Sequence, residues 1–183
     1  MKNTHTSRFM KSNTKVILYH GSNQAVYQPR INKNVFTTDF GNGFYVTANR
    51  RQAEKWAKRK ARYSGQPTLN RYVFDADQPD LKILVYQADI DWIKFVIQNR
   101  MNNIKDNSDI VIGPTADGKL FSVVNCWKHG NLDLDEALLK LKPSVYSEQY
   151  CFKTERALKD LTLIDKELVR WFPKLVKSNF ISN

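Results

Sequence analysis

The stretch DFGNGFYVTANRRQAEKWA, residues 39–57, decides how this chain of 183 residues folds. Two glycines precede FYVT, a short segment rich in β-branched and aromatic residues, which predicts a loop followed by a strand. Asn49 is a good N-cap, so a helix is predicted from there to Tyr63. One face of that helix would carry Ala53, Trp56, Ala57 and Lys60, with basic side chains around it.

A second stretch, LYHGS at residues 18–22, lies upstream at the end of the apolar run KVILYHG. This run predicts a buried strand that delivers His20 to a loop. Gly21 would let the backbone approach a ligand closely. A single histidine at a strand end is more often structural, and paired glycines such as Gly41 and Gly43 can mark a tight turn. Neither stretch assigns a function by itself.

The rest of the chain mixes predicted strands and helices. RYVFDAD and LKILVYQ predict two strands joined as a hairpin around Pro79. IDWIKFVIQNRMN predicts a helix, DIVIG a buried strand, LDEALLKLK a helix and SEQYCFKT a strand, and ERALKDLTLIDKELVRWFPKLVKS predicts one or two closing helices that Pro173 breaks or starts. This order predicts an α+β fold. We expect a flexible arm at 1–13 and a single domain at 14–183 that ends in a helical extension from about residue 162.

The charge is strongly basic, with 29 Lys and Arg against 18 Asp and Glu and a formal net charge of +11. Such a field attracts polyanions, and nucleic acid is a natural candidate partner. A solubilising charge balance, or a match to one acidic protein, explains the same composition.

Cysteine use and hydropathy indicate the compartment. Cys126 and Cys151 lie in apolar or aromatic stretches without metal-ligand spacing, which favours buried thiols in a reducing cytoplasm and no bound metal. No signal-peptide core follows the polar N-terminus and no apolar run is long enough for a membrane span, so we expect a soluble cytoplasmic protein without a membrane partner. Secretion without a cleavable signal would leave no trace in the sequence.

LYHGS followed by GNGFYVTA resembles the HGS and G-x-G-[IV]-Y-[FL]-A segments of the poly(ADP-ribose) polymerase and diphtheria-toxin-like branch of the ADP-ribosyltransferase superfamily, its His-Tyr-Glu branch. The longer pattern of DFGNGFYVT, QNR, DIVIGPTADG and Q-x-x-F-x-T-x-x-A-L resembles a bacterial family of unknown function, DUF3990, over about residues 16 to 161. That family is usually grouped with these transferases. The resemblance implies a split β-sheet core with flanking helices around an NAD cleft.

The resemblance also implies roles for the residues of both motifs. His20 would hydrogen-bond an NAD ribose with support from Ser22, and the backbone of Gly21 would hold the nicotinamide carboxamide. Tyr45 would stack on the nicotinamide ring, and an aromatic face also suits a pyridinium cation physically. Gly43, in the loop before Tyr45, is a further predicted NAD contact.

The third position of the family pattern departs from it. A glutamate opens a late strand in these enzymes, and Gln149 of QYCF stands in its place. A carboxylate there would stabilise the positive charge that develops on the ribose as the glycosidic bond breaks. An amide keeps the hydrogen bond and loses the charge. Glu148 should point to the opposite face of the strand and could take the role only if a one-residue bulge exchanged the two positions.

Several weaker candidates have common structural explanations. Asp39 and Asp117 could supply the missing charge, although turn-forming aspartates are more frequent. Arg100 could bind the pyrophosphate, although a surface arginine at a helix end is the commoner case. Arg30, Arg50 and Arg51 resemble Arg100 in this respect, and His5 and His129 lack a supporting constellation.

The expected function is therefore a mono-ADP-ribosyltransferase that cleaves NAD and transfers ADP-ribose to a protein or a nucleic acid. A bacterial or phage toxin is the expected setting, with an antitoxin or immunity protein as partner. Two alternatives stay open. One is a non-catalytic module of the same fold that binds NAD or nucleic acid, and the other is an NAD glycohydrolase.

Overall fold

A computed structural model of the chain describes residues 15–33, 38–102, 104–116, 120–140 and 148–170. The predicted arm at 1–13, His5, Asp117 and Pro173 lie outside these residues. The described elements are β1 (Lys15–Ser22), β2 (Phe44–Val46), α1 (Arg50–Ala61), β3 (Thr68–Asp75), β4 (Ile83–Val85), α2 (Ile90–Asn102), β5 (Ile110–Pro114), α3 (Leu120–Lys128), α4 (Leu134–Lys140), β6 (Glu148–Phe152), α5 (Glu155–Leu158) and β7 (Leu161–Leu168). The predicted α+β class is confirmed, and none of the described helices has the length and apolar content that a membrane crossing requires.

The described strands form two sheets. One contains β1, β3 and β7, antiparallel, with β3 in the centre. The other has the order β2, β6, β5, β4, in which β4 and β5 are parallel and the remaining pairs are antiparallel. Tyr19 of β1 joins the two sheets, because its N–H donates to Thr47 O at 2.8 Å and its own carbonyl accepts from Thr47 N at 3.0 Å. The two sequence motifs therefore lie side by side.

The apolar core fills the space between the two sheets and the space between α2 and the second sheet. Leu18 and Phe74 of the first sheet pack in one cluster with Phe44 and Phe152 of the second. A second cluster packs Trp92, Val96 and other residues of α2 against Val111 of β5. Burial of these side chains is the main force that holds the two sheets together.

Helix α1 packs on β1 with almost no space between the backbones. Its N-cap is Asn49, as predicted, whose side chain accepts a hydrogen bond from Gln52 N. Ala53 and Ala57 face Gly21, where a Cβ atom would lie 1.9 Å from Ala53 O and 2.6 Å from Ala57 N. Small residues on both elements are therefore required for this contact.

The predicted hairpin of RYVFDAD and LKILVYQ is wrong. β3 pairs with β1 and β7, whereas β4 pairs in parallel with β5 in the other sheet. Parallel neighbours need a crossover between them, and α2 provides it. Local alternation predicts that a segment is a strand but carries no information about its partner. Helix α3 was not predicted at all.

The prediction of closing helices is also wrong for most of residues 155–170, the part of that segment that the structure describes. Only α5 is helical, and it is capped by Thr154, whose side chain accepts from Ala157 N. Residues 161–168 of the predicted extension form β7, which completes the first sheet along β3. Leu161 and Leu163 point to the core on alternate positions, a period of two that favours a strand. Residues 171–183 lie outside the described part.

The tight contact between α1 and β1 predicts the effect of Gly21→Ala. The added methyl group would overlap the backbone of α1, so this variant should lose at least about 3 kcal/mol of the free energy of unfolding. Chemical denaturation measures the loss.

Gly130→Ala is the matched control. Its Cβ would contact nothing within 4 Å, and the cost comes from the left-handed backbone at φ 71°, about 1 kcal/mol. Equal stabilities of the two variants would contradict the packing described here.

Candidate active site

A cleft of about 1150 Å³ opens between the sheets, close to the Tyr19–Thr47 junction. His20 on β1, Tyr45 on β2 and Gln149 on β6 all line it. The three side chains predicted to be catalytic therefore converge from three strands of two sheets. Their catalytic roles stay predictions.

The residues next to these three have clear packing roles. Gly43 lines the cleft, but a Cβ there would lie 2.3 Å from Cys151 Sγ, so β6 requires a glycine at this position. Gly41, in the same loop, has a left-handed backbone with φ 78°, which favours glycine. Ser22 does not line the cleft; it is buried, pairs with Thr68 on β3 and donates weakly to Asn23 Oδ1 at 3.5 Å.

His20 is held as a neutral imidazole. Its Nδ1 lies 2.6 Å from Tyr45 O, and because a carbonyl only accepts hydrogen bonds, Nδ1 carries the proton. The ring stacks on Phe44 with 4.4 Å between centroids. Burial first, and then the nearby Lys60 ammonium, lower the pKa of His20 to about 3. Nε2 is therefore an unprotonated acceptor.

The strand around His20 and the loop after β1 are held by two side chains of β3 that were not among the predicted site residues. Asn70 is fully buried; its amide nitrogen donates to His20 O at 3.3 Å, and its Oδ1 accepts from Val26 N at 2.8 Å. Tyr72 donates its hydroxyl to Val26 O at 2.6 Å. The sequence signal for this support is the polar residue Asn70 within the apolar strand TLNRYVF, because a polar side chain that becomes buried needs hydrogen-bond partners.

Tyr45 is fixed at both ends. Its backbone carbonyl holds His20, while its hydroxyl donates to Gly41 O at 2.7 Å and accepts from Phe40 N at 3.0 Å. Burial raises the pKa of Tyr45 well above its usual value, so the phenol stays protonated. The loop DFGNG thereby sets the orientation of the aromatic ring that lines the cleft.

Gln149 is oriented by a carboxylate. Its Nε2 donates to Asp39 Oδ2 at 2.7 Å and lies 3.4 Å from Pro114 O. Both partners are acceptors, so chemistry assigns the amide nitrogen to that side and leaves Oε1 as the remaining polar atom. Glu148 is exposed, does not line the cleft and accepts from Tyr150 at 3.2 Å. The pairing of β6 is continuous with both neighbours, so no bulge exchanges the two positions.

Asp39 connects its own loop to three other parts of the site. It is 6% exposed, and its carboxylate accepts from Arg100 Nε at 2.8 Å on α2, from Ala116 N at 2.8 Å after β5, and from Gln149 on β6. The Arg100 side chain is 13% exposed, so this is a largely buried ion pair. Asp39 and Arg100 were predicted as separate candidates, and nothing in the local sequence indicates that they pair. The guanidinium that could have bound a pyrophosphate is engaged by Asp39.

The remaining candidates are spread over the molecule. Arg30 lines the mouth of the cleft, whereas Arg50 and Arg51 do not. Arg50 pairs with Glu54 and Glu167, and the exposed His129 lies outside the cleft with Nδ1 2.7 Å from Asn125 O.

The two cysteines differ in burial. Cys151 is buried, and burial raises the pKa of its thiol to about 12, whereas Cys126 is only partly buried. The described residues contain no cluster of His, Cys, Asp and Glu side chains that could hold a metal ion.

The contact between Gln149 and Asp39 predicts that the family-like substitution Gln149→Glu destabilises the fold. Two carboxylates in a shared buried site repel each other, which raises the pKa of one of them above its value in the unfolded chain. The folded variant then binds a proton more tightly, so it loses stability as the pH rises from about 5 to about 8. We expect a melting temperature at least about 5 °C below the wild type at the higher pH and a smaller difference at the lower pH.

Glu148→Gln, on the exposed face of the same strand, is the control and should melt within about 2 °C of the wild type at both pH values. A difference in melting temperature between Gln149→Glu and the wild type that is the same at both pH values would refute the contact with Asp39.

The neutral state of His20 predicts its titration. Its NMR ring signals, assigned by their loss in His20→Ala, should not shift between about pH 8 and about pH 4.5. Because the pKa in the fold lies below the value of 6.5 in the unfolded chain, protonation favours unfolding. The contribution of His20 to stability is complete above about pH 6.5 and decreases as the pH falls towards 3. A transition of these signals near pH 6.5 would contradict the buried, singly protonated ring.

Comparison with known proteins supports one part of the resemblance. The family model described as "Protein of unknown function (DUF3990)" matches residues 16–163. No curated protein and no solved structure matches the chain. The matched range contains the whole of both motifs and extends through β6, so it includes His20, Tyr45 and Gln149 together with Asp39 and Arg100. This chain belongs to the DUF3990 family.

Proposed function

We propose that this protein is a mono-ADP-ribosyltransferase that binds NAD in the cleft between the two sheets. The observation that carries the proposal is the convergence of His20, Tyr45 and Gln149 on that cleft. The resemblance requires these three positions to meet, although 129 positions separate the first from the last. The two-sheet arrangement around the cleft is also consistent with the proposed split-sheet transferase fold.

The nicotinamide half of NAD would be held by groups that are already in place. His20 Nε2 would accept a hydrogen bond from a ribose hydroxyl, since Nδ1 is committed to Tyr45 O. Backbone groups of Gly21 would bind the carboxamide, and the ring of Tyr45 would stack on the pyridinium. Lys60 also lines the cleft, and its ammonium favours an anionic ligand.

Gln149 and Asp39 would serve the reacting ribose together. Gln149 Oε1 would accept from the 2′-hydroxyl, and the Asp39 carboxylate polarises the amide through the 2.7 Å bond to Nε2. This increases the negative charge on Oε1 where positive charge develops in the transition state. In the reaction, the bond from C1′ to the nicotinamide nitrogen breaks with its electron pair leaving on nicotinamide. A lone pair of the acceptor forms the new bond to C1′, and the acceptor's proton passes to water.

A second candidate function has its own support. Gln149 is neutral, and the charge of Asp39 is balanced by Arg100, so the described residues of the site do not supply the uncompensated carboxylate of the family pattern. This favours a module that binds NAD without cleaving it. NAD glycohydrolysis, with water as acceptor, is the variant of the first function in which no macromolecule receives ADP-ribose.

Nicotinamide release from labelled NAD tests these functions, with the protein alone and with cell lysate. The transferase should release nicotinamide and label a macromolecule in the lysate. His20→Ala should lower the rate at least about 100-fold, because the ribose loses the acceptor that positions it. His129→Ala, an exposed histidine outside the cleft, should retain the wild-type rate.

The remaining outcomes separate the alternatives. Release without labelling indicates a glycohydrolase, and NAD binding by calorimetry without release indicates the non-catalytic module. Absence of both NAD binding and release would refute the NAD cleft itself.

A further inference from the structure

Three aromatic side chains stand exposed around the mouth of the cleft. Tyr27 is 63% exposed, Trp56 is 45% exposed and Tyr63 is 89% exposed, and all three line the cleft. Among the side chains that the structure describes, no other large aromatic is as much as 45% exposed. Single exposed apolar residues are common on protein surfaces, but a group of flat aromatic faces at one opening indicates a binding surface.

Basic side chains alternate with these rings. Arg30, Arg59 and Lys60 line the same opening, and the Arg59 guanidinium lies 5.0 Å from the centroid of the Trp56 ring. The carboxylate among the lining residues is Asp39, which is paired with Arg100. We call Tyr27, Arg30, Trp56, Arg59, Lys60 and Tyr63 the mouth surface. Its charge is complementary to an anion, in line with the net charge of +11 of the whole chain.

Helix stability explains only part of this composition. Lys58, Arg59 and Lys60 lie in the last turn of α1, where cations interact favourably with the helix dipole. No such effect favours an exposed tryptophan and an exposed tyrosine beside them. Trp56, Arg59 and Tyr63 are spaced by three and four residues, so they follow one side of the helix and of the turn that continues it. This side borders the cleft.

We propose that the mouth surface binds single-stranded nucleic acid, whose bases stack on Trp56 and Tyr63 while its phosphates contact Arg59 and neighbouring cations. Aromatic platforms interleaved with basic side chains are the general means by which proteins hold single strands. A duplex covers the faces of its bases by stacking and cannot offer them to these rings. The shared chemistry of RNA and DNA single strands satisfies this surface, and the experiment distinguishes them.

The size of the cleft agrees with a second reactant. Its volume of about 1150 Å³ exceeds the roughly 300–1,000 Å³ typical of a small-molecule site. Under the proposed function, on which this step rests, the bound strand is the acceptor of ADP-ribose. Binding of the strand itself does not depend on NAD, so failure of one proposal is distinguishable from failure of the other.

Fluorescence anisotropy of labelled oligouridine, oligodeoxythymidine and a mixed-sequence DNA duplex, without NAD, tests the inference on the full chain. One or both single strands should bind, more tightly than the duplex and more weakly as salt increases. Tyr63→Ala should weaken binding about tenfold, whereas Tyr63→Phe keeps the ring and should bind like the wild type. Tyr63 is 89% exposed, so neither variant should disturb the fold.

The contribution of charge is tested with Arg59→Gln, which should weaken binding of the single strand. The control is Lys94→Gln, which should have little effect because Lys94 is an exposed residue on α2 that does not line the cleft. The single strand that binds more tightly, oligouridine or oligodeoxythymidine, identifies the preferred nucleic acid as RNA or DNA. Absence of single-strand binding at low salt, equal losses in Arg59→Gln and Lys94→Gln, or unchanged binding of Tyr63→Ala would overturn the proposal. Displacement of the strand by NAD would also overturn it, because the aromatic rings would then belong to the NAD site.

Discussion

The candidate site depends on one buried carboxylate. Asp39 lies in the loop before β2, and its two oxygens hold α2 through Arg100, the end of β5 through Ala116 N, and β6 through Gln149. Each of these contacts is a charge-assisted hydrogen bond, and such bonds are stronger and shorter than neutral ones. A buried carboxylate without them would cost several kcal/mol, so the loop conformation and the position of Gln149 are set together.

The opposite wall of the cleft is built differently. His20 is held through backbone groups: its ring donates to Tyr45 O, and its own carbonyl accepts from Asn70. Tyr45 is therefore shared, because its carbonyl orients His20 while its hydroxyl closes the Asp39 loop on itself. The two walls are connected through this residue. Neither wall requires a ligand for its geometry, since His20 Nδ1, the Tyr45 hydroxyl and the Asp39 carboxylate all have partners within the protein.

Local features of the fold could be predicted from the sequence, and long-range ones could not. Asn49 was recognised as a cap because the first turn of a helix needs an acceptor within three residues. The segment RYVFDAD was recognised as a strand by its alternation, but its pairing with β1 and β7 depends on residues far along the chain. The same limit hid the Asp39–Arg100–Gln149 network, whose members lie 61 and 110 positions apart from Asp39. His20, Tyr45 and Gln149 could be selected because a resemblance, rather than a local pattern, supplied their long-range relation.

The contact of Gly21 with Ala53 and Ala57 also has a mechanical consequence. Helices usually pack through layers of side chains that can change rotamer and let one element slide over the other. Backbone atoms of α1 and β1 meet without such a layer. The helix therefore cannot rotate or shift through rotamer changes of intervening side chains. Trp56 on the helix and His20 on the strand therefore belong to one stiff unit. A ligand bound at the outer edge of α1 is therefore held at a fixed distance from the His20 imidazole.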